Sequence, residues 1–138
     1  MALTYERNDA TRTLVVTVSG PFVVEDIVGV VDRQAAEDAW QYVLSYDERG
    51  MTSAPTPDDL RVLLKPVKKM VGTHGPRGPV AVITARQDLY GMARFYSTLS
   101  EFDRDRLHVF HNIADADRWL SQVTRARRRG NRRRPRRA

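Results

Sequence analysis

Hydrophobic and polar positions change period several times along this chain, and each change marks an element. Leu3–Arg7 and Thr13–Ser19 are β-rich runs on either side of Asn8-Asp9-Ala10-Thr11, the pattern of an antiparallel hairpin. Gly20-Pro21 breaks the second run. From Val24 the period becomes helical, with Val24, Ile27, Val28, Val31 and Ala35 on one face and Glu25, Asp26, Asp32 and Arg33 on the other. Trp40–Tyr46 is a strand by residue type, ending in Asp47-Glu48-Arg49-Gly50, and 51–57 is a loop.

Thr56, Pro57 and Asp59 have the spacing of an N-cap, a first helical proline and a capping-box acid. The helix they open carries Leu60, Leu63, Leu64, Val67 and Val71 on one stripe and stops in the Gly/Pro segment 72–79. Val80–Thr84 is continuously apolar, as a strand covered on both faces should be. A third helix is predicted over Asp88–Ser100, a last strand over Leu107–Phe110, and a fourth helix capped by Asn112 with Asp115 at the capping-box position. The order ββαβαβαβα predicts an α/β fold: a mixed, mainly parallel sheet with an N-terminal β-hairpin and about four helices.

Charge divides the chain in a way the periodicity does not. Through Thr124 there are 14 Lys and Arg against 17 Asp and Glu, whereas the last fourteen residues hold nine arginines and no acid. This predicts a domain over 1–123 and a disordered Arg-rich tail over 124–138. The absence of cysteine removes disulfides, thiol nucleophiles and thiolate metal sites. Apolar runs of about four residues are too short to span a membrane, and the amino-terminal segment lacks the apolar core of a signal peptide. A cytoplasmic protein without a cofactor is the expectation.

The segment Val109–Leu120 resembles the closing signature of small SpoIIAA-like (STAS-related) bacterial domains, the match falling on Val109, Phe110, Ala116, Trp119 and Leu120. Gly20 after the hairpin, Tyr46-Asp47 at the end of the central strand, Val80–Ile83 and the stretch Tyr90-Gly91-Met92-Ala93-Arg94 agree in order and spacing. The likeness covers about residues 3 to 121. It implies a non-catalytic regulatory or binding module that acts through an unidentified protein partner, not an enzyme. In the anti-sigma-factor antagonists of that wider family, a kinase phosphorylates a serine in an Asp-Ser-Ser-Gly segment opening the helix after the central strand. Here the equivalent stretch, 50–58, has no such segment; Ser53 or Thr56 falls near the acceptor position without the motif. Asp47, Ser53 and Thr56 are therefore the candidate phosphoacceptor and partner loop.

Other candidate chemistry is thin. Asp58 and Asp59 have no histidine or ligand set beside them, and Thr56, Pro57 and Asp59 are explained by capping alone. His108 and His111, three apart at a strand end, should point to opposite faces. The Gly-rich stretch 72–78 leads from a helix into a strand, the reverse of a phosphate loop. On the third helix Leu89, Met92, Ala93 and Tyr96 face inward and Phe95 lies off that stripe; Tyr90, Met92, Phe95, Tyr96, Phe102 and Trp119 are core or line an apolar groove. Tyr90, Arg94 and Phe95 form a candidate surface for a ligand, a partner or a second copy in a homodimer. An apolar small-molecule or lipid carrier is one alternative function. The other is nonspecific nucleic-acid binding through Arg125, Arg127, Arg128, Arg129, Arg132, Arg133, Arg134, Arg136 and Arg137, a polyanion site without aromatics for base stacking.

Overall fold

The computed structural model describes residues 1–100 and 107–133, with the backbone alone for 131–133. Phe102, Arg134, Arg136 and Arg137 lie outside the described residues. Strands β1 (Ala2–Asn8) and β2 (Thr13–Gly20) pair antiparallel. Their turn is closed by Asn8 Oδ1, which accepts the Thr11 N–H at 3.1 Å. Helix α1 (Val24–Ala36), strand β3 (Val43–Met51), helix α2 (Pro57–His74), strand β4 (Val80–Ile83), helix α3 (Gln87–Leu99), strand β5 (Leu107–Phe110) and helix α4 (Ile113–Arg133) complete the order ββαβαβαβα. The five strands lie in sequence order, and every pair after the first is parallel.

Strand alternation assigns the two faces of this sheet. Leu14, Val16, Val18, Leu44, Tyr46, Val80 and Val82 share one face and pack with Ile27 and Val30 of α1 and Leu89 of α3. Helix α2 closes onto α1 through Val31, Ala35, Trp40 and Val67, so three helices lie on this side. Stepping always in one direction with right-handed crossovers leaves no other arrangement. Helix α4 takes the opposite face: Trp119 lies 4.6 Å from the His108 ring and 5.6 Å from Phe110, both of which alternate away from Leu107 and Val109. Strand β4 is thus covered twice, which is why all four of its residues are buried and apolar.

Two elements differ from the sequence prediction. Strand β3 begins at Val43 and runs to Met51, so Asp47–Gly50 is strand, not a terminating turn. Trp40 instead lies in the preceding turn, buried against α1 and α2. The extension is possible because β2 shifts register between Thr17 and Ser19 and pairs Ser19 with Gly50. A Cβ on Gly50 would lie 3.0 Å from Ser19 Cβ, so a small residue here keeps the strands together.

The second difference is α4. The boundary drawn at 123/124 falls inside one continuous helix that reaches Arg133. Residues 124–133, which composition assigns to the tail, are helical here. Arginine is among the better helix formers, and residues added to an already folded helix need no nucleation step. Cations are also favoured at a helix carboxyl end.

Candidate functional site

At the carboxyl ends of β3 and β4, the segment 52–56 bridges into α2 and is fastened at several points. Thr52 N–H donates to Gly20 O at 2.9 Å, and Thr52 O accepts from Arg86 Nη1 at 2.9 Å. Arg86 is itself oriented by Asp88, through bonds of 3.0 and 2.8 Å, and holds that carboxyl down at about 2. Ser53 Oγ accepts the Phe22 N–H at 3.0 Å and ties the loop to the start of α1. Thr56 and Asp59 form the predicted capping box, Thr56 Oγ1 accepting from Asp59 N–H at 3.1 Å and Asp59 Oδ2 from Thr56 N–H at 2.9 Å. Beyond them the exposed Asp58 pairs with Arg61 at 2.8 Å, and Val62 is 51% exposed.

Asp47 does not join Ser53 and Thr56. Alternation turns it to the α4 side of the sheet, where Arg49 binds both carboxylate oxygens at 2.9 and 2.8 Å and holds its acid below the usual carboxylate range. Its neighbour Glu48 turns the other way, into a cleft under α2 and α3 lined also by Tyr46, Leu63, Arg77 and Tyr96. Burial among apolar groups, with the Asp47 charge adding to it, raises the Glu48 carboxyl to about 7.

Arg77 is only 4% exposed at the floor of this cleft. It reaches Gln34 Oε1 at 3.4 Å and lies over the Trp40 ring at 5.3 Å, while its Nε has no hydrogen-bond partner. The hydroxyl of Tyr46 likewise has no partner, and burial pushes that phenol up. Neither Glu48 nor Arg77 was singled out from sequence. The available signal was that 44, 46 and 48 share a face once the strand continues past Asp47.

The cleft has a volume of about 70 Å³, small beside the roughly 300–1,000 Å³ of pockets that enclose a drug-sized ligand. Tyr90 and Arg94 do come together, the guanidinium 5.9 Å from the ring centroid, in a separate groove of about 270 Å³ beside Leu107–Val109. Tyr90 also stacks on His111 at 4.1 Å. Phe95 is half-buried and lines neither cavity. His108 and His111 take opposite faces, one against Trp119 and the other on Tyr90. Among the described residues no three His, Asp or Glu side chains gather as metal ligands, and no helix is long and apolar enough to cross a membrane.

No protein-family model matches the sequence, and no curated protein matches it significantly. Solved structures do match in fold. An anti-sigma factor antagonist from Mycobacterium paratuberculosis superposes with a TM-score of 0.53 at 16% identity, over 87% of this chain and 93% of that one. The Bacillus cell fate determinant SpoIIAA in its phosphorylated form superposes with a TM-score of 0.51 at 12% identity, over 85% and 98% of the two chains. The fold is SpoIIAA-like.

Proposed function

We propose that this domain is a non-catalytic regulatory module that docks a protein partner at the carboxyl ends of β3 and β4. The observation that carries the reading is the fastening of 52–56 by Gly20, Phe22, Arg86 and the Thr56 capping box. A surface fixed before binding loses little conformational freedom on association. It presents Thr56, Asp58 and the exposed apolar side chain of Val62 along the first turns of α2. The anti-sigma factor antagonist of like fold supports this reading and suggests the partner class, an anti-sigma factor or a related regulator.

Ser53 is the better candidate acceptor for a phosphate switch. A phosphate there would displace the Phe22 N–H from Ser53 Oγ and unfasten the loop from α1. A phosphate on Thr56 would gain from the α2 amino terminus but meet Asp58 and Asp59 at once. Affinity capture from the native host tests the docking surface with the wild type, Val62→Glu and, on the far face of β2, Val15→Glu. The reading expects one partner held by the wild type and Val15→Glu and lost by Val62→Glu. Equal recovery by all three proteins would place the partner elsewhere. Mass spectrometry of the protein from that host reads Ser53 phosphate directly.

A further inference from the structure

The arginines of α4 do not form an isolated appendage, because the helix delivers them to a second basic element. The helical pitch sets Ala116, Leu120, Val123 and Arg127 on the side facing the body, where all four are at least half-buried. Arg125 and Arg129 fall on the other side and Arg128 on the flank between, and all three are exposed. Below the sheet, the last turns of α4 overhang the β1–β2 hairpin. Arg12, Gln41, Thr124, Arg127 and Arg128 together line a cleft of about 410 Å³.

The hairpin arginine is held in place for this role. Arg12 O accepts the Val43 N–H at 3.1 Å, and its guanidinium lies over the Tyr42 ring at 5.5 Å. The acid of the same turn does not neutralise it. Asp9 Oδ1 accepts from Tyr42 Oη at 2.7 Å and from Arg7 Nε at 2.8 Å, so that carboxylate is already committed. Residues 125–133 add six arginines and no acid.

We propose that α4 beyond Val123 and the hairpin residue Arg12 form one composite site for the phosphate backbone of a nucleic-acid duplex. A helix suits the major groove in width, and a row of guanidiniums on it meets phosphates bidentately. From Thr124 to Arg133 the helix offers no aromatic residue for base stacking, so the contact is with the phosphate backbone. An anionic membrane fits less well, because from Thr124 to Arg133 the only apolar side chain is Ala126 and nothing is offered to the acyl region. This site is distinct from the partner loop at the opposite end of the strands and does not rest on that reading.

Fluorescence anisotropy with the full chain and a labelled duplex, in DNA and RNA forms, tests the proposal across a salt series. About six engaged phosphates give a slope of log affinity against log salt near −5, a loss of about a thousandfold between 50 and 200 mM. Arg12→Asn, which tolerates the local φ of 55°, should make the slope shallower by about one. The triple variant R125Q/R128Q/R129Q should remove about three. Ala126→Pro keeps every arginine but breaks the helix, and should weaken binding about tenfold. The proposal is overturned by a flat salt series. It is equally overturned if Arg12→Asn leaves the slope unchanged while the triple variant lowers it, since charge alone would then bind without the hairpin. Binding to phosphatidylcholine–phosphatidylserine vesicles in preference to duplex would assign the site to a membrane instead.

Discussion

Glu48 makes the stability of this protein depend on pH with a sign opposite to that of most carboxylates. Its carboxyl is held at about 7 against 4.5 for a free glutamate, first by burial and then by the charge of Asp47. The folded protein therefore binds this proton more tightly than the unfolded chain does. The stabilisation is fully present below 4.5 and is lost as pH rises through 7. Taken at face value the difference corresponds to about 3 kcal/mol. Glu48 keeps part of its surface in water, and screening there reduces the effect to about 1–2 kcal/mol.

Glu48→Gln replaces the ionising group by a neutral one of the same shape. Urea unfolding of both proteins from pH 5 to 9 should give nearly equal stabilities at pH 5. By pH 8 the variant should be the more stable by about 1–2 kcal/mol, with unchanged m-values. All other titrating groups are common to the two chains, so the difference curve isolates Glu48. Parallel curves across the whole range would show that the cleft solvates this carboxylate as well as water does, and the argument from burial would fail.

Thr56→Ala should cost about 1 kcal/mol by urea unfolding, because it removes the acceptor of the Asp59 N–H, while Thr56→Asp should retain most of it. Gly78→Ala should be far more damaging, since a Cβ there would overlap the carbonyls of Tyr42 and Gln41; failure to recover folded protein, or a loss of over about 3 kcal/mol, is the expected readout. Trp119→Ala takes the ring away from His108 and Phe110 and should cost about 2 kcal/mol, less than for a fully buried tryptophan. Hydrogen exchange in that variant should quicken in α4 before it does in β2, whose apolar face packs in the main core.

Local signals carried much of this protein without any tertiary information. The change from period two to period 3.6 at Val24, the Thr56-Pro57-Asp59 cap and the apolar run at Val80 each depend on residues close in sequence, so element order and the mainly parallel sheet were legible. What could not be read was set by contacts between distant segments. Strand β3 continues past Asp47 because Gly50 fits beside Ser19, and that single extension turns Glu48 inward and Asp47 outward. Asp47 and Ser53, six residues apart, thereby serve opposite sides of the sheet. Gln34, polar and fully buried, donates to the carbonyls of Ala39 and Trp40 and meets Arg77, an interior cluster that no periodicity marks. The arginine-rich end shows the same division. Its charge was plain in the sequence, but the helix as far as Arg133 was not, because residues of a charged run join a helix more readily where a packed helix already precedes them. Composition determined which residues could meet a polyanion; the packing of α4 across the sheet decided that Arg12 would stand beside them.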